Sequence, residues 1–317
     1  MIADARLVGT VLSGNIDDYP DGIIMPIDKP YRWTSADVVR KIKWAACHHF
    51  GKKNLKVGHA GTLDPLATGV LLVCIGKATR LAESLQKEGK EYVAGISFGA
   101  TTPSYDLEKA VDRLYPTDNV NEGSILKVLP GFLGEQDQVA PLFSAKSVDG
   151  VRAYELARKQ FRERGLAKTE VIEDFDHTVA ETLNVQRINI YELELLSLRQ
   201  TLRQAQGPAG SAANAGRTQP QRSEDGLGRY LTASRPSIDG ERPNPRINVA
   251  DISGIDLVQA EIRIACSKGT YIRALARDLG EALGSGAFLH SLRRTKSGGF
   301  DAETALNISE AMDLLAT

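Results

Sequence analysis

The sequence has few cysteines, no long apolar run and almost no net charge. Its three cysteines, Cys47, Cys74 and Cys266, lie far apart among 317 residues and lack the CxxC or Cys/His spacing of a zinc site. No stretch of about eighteen apolar residues occurs, and the N-terminus has no basic region followed by an apolar one. These absences argue against a disulfide framework, a metal site, a signal peptide and a membrane span. With 42 % hydrophobic residues, the chain is expected to be a globular, cytoplasmic protein.

The net charge of −1 conceals two basic segments. Between Asp28 and Arg80, ten lysines and arginines face only three aspartates. The second segment contains Arg263, Lys268, Arg273, Arg277, Arg293, Arg294 and Lys296, opposed by Asp278 and Glu281. If the two segments share a face, they form a footprint for a polyanion such as RNA. The alternative is an ordinary solvated charged surface.

The segment from Val57 to Gly76, VGHAGTLDPLATGVLLVCIG, places a single carboxylate on an irregular stretch. Asp64 precedes Pro65, which keeps it out of helical geometry, and the nearby glycines let the backbone approach a ligand closely. The apolar run Val70 to Ile75 follows. The residues alone leave two interpretations open: a carboxylate presented for chemistry, or a turn that feeds a buried strand.

The string GHAGTLDPLATGVL resembles the signature of the TruB family of tRNA pseudouridine synthases, whose aspartate in this segment is catalytic. Two further stretches resemble the same family: an apolar strand followed by D-K-P and a T-S-capped helix, and CSKGTYIRALARDLGEALGSGAFLHSLRRTKSG. The resemblance implies an α+β catalytic domain. It would be built on a mixed, mainly antiparallel central sheet flanked by helices, with the active site in a central cleft and Asp64 as the catalytic residue.

The same resemblance implies roles for other residues. Tyr92, in a K-E-Y segment, would lie against the target base, and Arg273 would pair with Asp64. Tyr271 would lie by the base, Leu292 would line the pocket under the uracil ring, and His59 would fill the position that the flipped base vacates. On the residues alone, Tyr92 and Leu292 would be core side chains and His59 a turn cap.

Substrate contacts are expected from loop and basic residues. Gly61 and Thr62 are assigned to substrate binding, and phosphate contacts are expected from Lys29, Lys52, Lys53, Lys56, Lys77, Arg80 and Arg293. Two stretches depart from the family pattern. FGATTPSYD leaves the role of Asp106 open, and VAPLFSAKSVDGVRAYELAR places Lys146 one position early.

Hydrophobic periodicity and caps predict most of the regular elements. Strands are expected at 22–27, 70–75 (fully buried), 92–98 (half-buried), 185–196 (bulged) and 260–266, and helices from Thr34 and Ser35, at 78–85, from Tyr154, at 272–284 and at 309–315.

The domain organisation is predicted as one catalytic domain, 21–317, after a tail, 1–20, with insertions at about 163–184 and 199–248. The second insertion is rich in Gly, Ala, Ser, Pro, Gln and Arg, so it buries too little surface to order itself and is expected to be a disordered loop. Replacing Gln200 to Arg246 with a linker is expected to leave the fold intact. No full C-terminal RNA-binding domain is expected.

The resemblance implies isomerisation of uridine to pseudouridine at position 55 in the T loop of tRNA, on a flipped-out base. The reaction breaks the C1′–N1 bond and rejoins the base through C5, so it needs no cofactor. Asp64 could attack C1′ or C6, or assist the departure of uracilate. Arg273 would orient Asp64 and favour its charged form. The alternatives are a noncatalytic tRNA-binding and folding module and a guide-RNA-dependent synthase. The partner is expected to be the T arm of tRNA, with no metal or membrane, and the protein is expected to be a monomer.

Overall fold

The fold is organised around a sheet of nine strands, and the computed structural model describes residues 11–141, 147–148, 151–152, 185–201 and 242–316. The strands are β1 (Ile23–Lys29), β2 (Val57–Ala60), β3 (Ala67–Ile75), β4 (Lys90–Phe98), β5 (Ala100–Thr101), β6 (Arg113–Leu114), β7 (Gly134–Val139), β8 (Ser147–Val148), β9 (Val151–Arg152), β10 (Val185–Thr201), β11 (Leu257–Cys266), β12 (Ala287–Ser297) and β13 (Phe300–Asp301). The helices are α1 (Ser35–His49), α2 (Ala82–Lys87), α3 (Glu122–Val128), α4 (Ile272–Ala282) and α5 (Ile308–Leu314).

The sheet has the order β1-β3-β12-β4-β11-β10-β7, with β2 paired to β3 and β13 to β12. Every pairing in it is antiparallel except that of β12 with β3, which is parallel at 292–294. The predicted mixed, mainly antiparallel α+β fold is therefore confirmed. The parallel contact matters for function because it brings the start of β3, just after Asp64, beside Leu292 and Arg293.

Local sequence signals account for the helices α1 and α4. Thr34 caps α1 with a reciprocal pair of hydrogen bonds to Asp37, and Val38 and Ile42 are buried on its inner side. The helix predicted from 272 is α4, and the chain leaves it at Gly284 in a left-handed conformation (φ 65°). The helix predicted at 78–85 is instead a 3₁₀ turn, Gly76–Leu81, followed by α2.

Two strand predictions can be compared directly with the sheet. β10 shifts register after Ile190 and after Leu195, which confirms the predicted bulge. The half-buried prediction for 92–98 is wrong, because every residue from Ala94 to Phe98 is buried. β4 lies at the centre of the sheet between β11 and β12. One apolar cluster, with Ile96, covers one side of this region, and another, with Phe288, covers the other.

Some predictions fall outside the described residues: the helix from Tyr154, Lys146, the insertion at 163–184, and most of the segment 199–248. Both ends of that last segment do lie in the fold, which corrects its boundaries. Residues 199–201 pair with β11 as the end of β10. Asn244 donates its backbone N–H to the Arg32 carbonyl at 3.0 Å, and Ile247 is buried.

All three cysteines carry free thiols. Within the described ranges, no helix is both long and apolar enough to cross a membrane.

The two ends of the segment 199–248, which lie in the fold, lead to a first prediction. Replacing only 202–241 with a short Gly/Ser linker should leave the melting temperature and kcat near their wild-type values. Replacing 200–246 should lower the melting temperature by several degrees, because it removes two β10–β11 pairings and the packing of 242–246. Thermal unfolding of both variants measures the difference. Equal melting temperatures would contradict a structural role for the two ends.

Candidate active site

The loop that carries Asp64 joins β2 to β3 and is fixed from two sides. Ser35, in the first turn of α1, accepts a hydrogen bond from the Leu63 N–H at 2.9 Å and donates one to the Leu63 carbonyl at 3.2 Å. From β12, Arg294 donates to the Gly61 carbonyl at 3.1 Å. The residues before Asp64 are therefore held by side chains from two distant parts of the chain.

Asp64 and Arg273 form a two-pronged ion pair. Arg273 Nε lies 3.0 Å from Asp64 Oδ2, and its Nη2 lies 3.1 Å from Oδ1. The remaining nitrogen, Nη1, donates to the Ser104 carbonyl at 3.0 Å. The Arg273 side chain is only 6 % exposed, whereas the Asp64 side chain is 36 % exposed. The cation is thus inside the protein, and the carboxylate remains accessible.

Burial lowers the pKa of Arg273, but the carboxylates of Asp64 and Asp106 outweigh it and raise that pKa above its ordinary value. Arg273 stays charged at every physiological pH. A planar guanidinium bound by both oxygens also restricts rotation of the carboxylate, which a single ammonium would not do.

Asp106, whose role the sequence left open, lies in the site. Its Oδ2 is 3.7 Å from Arg273 Nε, so the guanidinium lies between two carboxylates. Asp106 Oδ1 accepts hydrogen bonds from Ser104 Oγ at 2.6 Å and from the Glu108 N–H at 2.9 Å. Burial raises the pKa of Asp106, and Arg273 opposes that effect. Asp106 is buried and therefore contacts Arg273 rather than solvent.

A pocket opens beside these groups. Its walls are formed by Asp64, Leu66, Ala67, Asp106, Arg273, Leu289, His290, Ser291 and Leu292. Leu292 is half-buried and lies where β12 runs parallel to β3. The pocket therefore combines apolar walls with two carboxylates and a guanidinium, which suits a flat heterocycle beside a charged group.

Tyr92 is not among the described residues that form the wall of this pocket. It pairs in register with Arg294 of β12 and with Ile264 of β11, and it packs into the main apolar core. Burial raises the pKa of Tyr92, although Arg294 acts in the opposite direction. The phenol is neutral at physiological pH, so its geometry and charge argue against a role as a base.

His59 and Tyr271 flank the site. His59 lies on β2, and its buried Nδ1 makes no hydrogen bond within the described part of the chain. Burial, with a smaller effect from Arg294, lowers the pKa of His59, so the ring is neutral. Tyr271 precedes α4 and is bound at both backbone groups by Gln138, at 2.9 and 3.2 Å. Gln138 thus fixes the start of the helix that carries Arg273.

The structure contradicts one of the predicted phosphate contacts, Lys29, and gives another, Arg293, an internal partner. Lys29 is fully buried and donates to the carbonyls of Pro30, Trp33 and Pro65, at 3.1, 2.6 and 3.3 Å. Burial lowers its pKa to about 7, and the Asp64 carboxylate acts in the opposite direction. Arg293 donates to both oxygens of Asp28, at 3.0 and 2.9 Å. Lys29 supports the loop after Asp64, and Arg293 is occupied by an internal partner.

The second basic segment does not form the predicted footprint. Arg263 lies within 3.5 Å of carboxylate oxygens of Glu91, Glu192 and Glu194. Four other members also have internal roles: Arg273 and Arg293 as described, Arg277 with Asp278 at 2.7 Å, and Arg294 buried. These cations were counted as surface charge, but most are neutralised or enclosed.

Several cations of the first basic segment are exposed where the chain enters β2 and leaves β3, at the far end of these strands from the Asp64 loop. Lys52, Lys53, Lys56, Lys77 and Arg80 are all exposed, and Lys52 lies 3.7 Å from Asp17. Thr62 is exposed in the loop itself, and Gly61 has a positive φ of 95°. The exposed lysines and Arg80 retain the capacity to meet phosphates.

The sequence did not predict a role in the site for three residues. Ser35 was predicted only as a helix cap, and Gln138 and Arg294 were assigned nothing individually. Arg294 is 1 % exposed and donates to the Val70 carbonyl at 2.8 Å as well as to Gly61. Buried arginines are rare, so a pattern of apolar and polar residues does not find them.

Among the described residues, no group of three or more His, Cys, Asp and Glu side chains is placed to hold a metal ion.

Comparison with known proteins identifies the family. Residues 48–191 match the model of the TruB family pseudouridylate synthase N-terminal domain, and residues 273–317 match that of the tRNA pseudouridylate synthase B C-terminal domain. The chain is 38 % identical over 291 residues to tRNA pseudouridine synthase B of Phocaeicola vulgatus, covering 92 % of both chains. It is 40 % identical over 290 residues to that of Bacteroides thetaiotaomicron, covering 92 % of this chain and 91 % of the relative.

A chain in a crystal structure of a Cbf5-Nop10-Gar1 complex shares the fold, with a TM-score of 0.51 and 25 % identity. The match covers 94 % of the present chain but only 56 % of that one. Together with the two family models, these relatives identify the chain as a member of the TruB family of tRNA pseudouridine synthases.

Proposed function

We propose that the protein converts uridine to pseudouridine in tRNA, at position 55 of the T loop, with Asp64 as the catalytic residue. The observation that carries the proposal is the Asp64 carboxylate: it is fixed by both oxygens to a buried guanidinium, yet it is still accessible in the wall of a pocket. Family membership supports the reaction type, which is an intramolecular transfer of the base.

The reaction suits a site that contains one accessible carboxylate. The C1′–N1 bond breaks, the base turns, C1′ bonds to C5, and the proton on C5 is lost while N1 gains one. No electrons leave the substrate, so a cofactor is not required. Asp64 can serve by attack on C1′ or C6 or by assisting the departure of uracilate. In each route, the Arg273 fork holds the carboxylate in one orientation while the base moves.

The uridine has to leave the folded T loop to reach Asp64, at a cost of a few kcal/mol of unstacking. Leu66, Ala67 and Leu292 offer the apolar surface on which the ring would rest. His59, neutral and with its Nδ1 lacking a hydrogen bond in the described part, would occupy the vacated space and gain a partner there. Tyr92 would support the base from behind as a neutral phenol.

RNA affinity would come from the exposed lysines and arginine of the first basic segment. Specificity for the T arm would come from the shape of the loop rather than from base edges, as is usual for folded RNA. We further propose that the protein acts as a monomer in the cytoplasm, where three free thiols would remain reduced.

The alternative functions are a noncatalytic tRNA-folding module and a guide-RNA-dependent synthase. Neither is favoured by the relatives, which are tRNA pseudouridine synthases B and match nearly the whole chain. One assay separates the three. Purified protein incubated with an unmodified tRNA transcript should form pseudouridine at one T-loop position without added RNA. Binding without product supports the folding module, and a need for a second RNA supports the guided enzyme.

The second prediction concerns the ion pair. Asp64→Asn keeps the shape of the side chain but removes its charge, so product should fall below detection while tRNA binding survives. Arg273→Lys keeps a charge but loses the fork, so kcat should fall by at least about a hundredfold. Single-turnover kinetics and a filter-binding titration measure the two effects separately.

The double variant is the control for this pair. Because the two residues act as a unit, Asp64→Asn with Arg273→Lys should be no worse than Asp64→Asn alone. Near-wild-type pseudouridine formation by Asp64→Asn would falsify the catalytic role of this carboxylate.

The third prediction concerns the exposed lysines. Changing Lys52, Lys53 and Lys56 to Ala should weaken tRNA affinity and reduce the slope of log K against log salt by roughly 0.7–0.9 for each lost phosphate contact. Turnover at saturating tRNA should change little. The matched control changes Lys87 and Lys127, which are exposed on α2 and α3, and should leave the slope as it is. If the wild-type protein and both variants gave equal slopes, the RNA would not contact Lys52, Lys53 or Lys56.

A further inference from the structure

The outward face of α1 presents a tryptophan to solvent. The opposite side of the helix is buried through Val38, Ile42, Ala45 and Ala46. Trp44 is 59 % exposed, although a ring of this size is ordinarily well buried. Neither the core nor the Asp64 site uses it. A single exposed apolar side chain is common on protein surfaces, so the significance of this indole depends on the groups around it.

The surroundings of Trp44 are basic. Arg40, Lys41, Lys43 and His48 are all exposed on the same helix, and we call these four residues with Trp44 the α1 surface. His48 packs against the indole, with ring centroids 4.4 Å apart and the planes at 42°. Of these cations, Arg40 is paired with Asp37 at 2.9 Å.

We infer that the α1 surface is a second RNA-binding site, at which the Trp44 ring stacks on an unpaired base of the tRNA outside the target loop. The lysines around it contact the adjoining phosphates. The identity of the RNA as tRNA rests on the proposed function. An aromatic ring combined with positive charge is the usual means of holding single-stranded nucleic acid, because every base has a π face and every nucleotide a phosphate.

The composition of the α1 surface favours RNA over a protein partner. The centre of a protein interface is depleted in lysine, whereas Trp44 is bordered by Lys41 and Lys43. A lone indole among cations offers little continuous apolar area to another protein. The same indole and cations offer an RNA strand a ring for base stacking and positive charge for its phosphates.

The position of the α1 surface is compatible with one RNA reaching both sites. Ser35, at the start of α1, hydrogen-bonds Leu63 next to Asp64. Trp44 is nine residues further along the helix, which corresponds to roughly 14 Å at 1.5 Å per residue. A duplex arm advances on the order of 3 Å per base pair. Nucleotides only about five base pairs away from the target loop can therefore reach the ring.

Tryptophan fluorescence tests this contact directly. The chain has two tryptophans, and a Trp33→Phe variant leaves Trp44 as the reporter. Full-length tRNA should quench its emission, and an isolated T-arm hairpin should not. The reciprocal Trp44→Phe variant reports on half-buried Trp33 and controls for changes elsewhere. The second site would be overturned by either of two results. One is Trp44 emission that does not change at saturating full-length tRNA, and the other is equal quenching by the hairpin.

Kinetics provide an independent readout. Trp44→Ala should raise KM for full-length tRNA by at least about fivefold, the low end for stacking on one ring, with kcat and the KM for the hairpin unchanged. Trp44→Phe should restore most of the affinity. Tyr191→Ala, which removes an equally exposed ring beside Glu192, should change neither KM. An unaltered KM for Trp44→Ala contradicts the inference. Quenching by tRNA without pseudouridine in the wild-type protein would instead contradict the proposed function.

Discussion

Arg273 donates two hydrogen bonds to Asp64 and a third to the Ser104 carbonyl, and the arrangement of the site depends on this one guanidinium. A buried cation without partners would cost several kcal/mol, so its surroundings have to be complete before the site can form. Gln138 fixes the start of α4, and Ser104 holds the second carboxylate, Asp106. The accessible Asp64 is therefore the exposed end of an internal network.

Buried cations also hold the loop on either side of Asp64. Arg294 binds the Gly61 carbonyl before it, and Lys29 binds the Pro65 carbonyl after it. Both cations are almost fully enclosed, so solvent does not compete for their hydrogen bonds. The chain thus uses buried positive charge to shape a short loop. It uses exposed positive charge, in a separate region, for the contacts proposed with RNA.

The sequence predicted the elements whose signals are local. The Thr34 cap defines α1, and the apolar run from Val70 forms the centre of β3. The resemblance placed Arg273 against Asp64. It could not distinguish buried from exposed cations: Lys29 and Arg293 were expected to meet phosphates, because charged residues are normally exposed. The partner of Arg293, Asp28, is 265 residues away, and the two meet because β3 pairs with β1 on one side and with β12 on the other. No local pattern contains that information.

The claim that the Arg273 fork orients Asp64 can be tested by chemical rescue. Arg273→Ala should leave a cavity beside Asp64, and its single-turnover rate on tRNA can be measured with added methylguanidinium or, as a control of equal charge, methylammonium. Thermal unfolding verifies that the variant is folded. Methylguanidinium should restore a substantial part of the rate, and methylammonium should not, because only the planar guanidinium can bind both carboxylate oxygens. Equal acceleration by the two cations, or a wild-type rate without either, would contradict it.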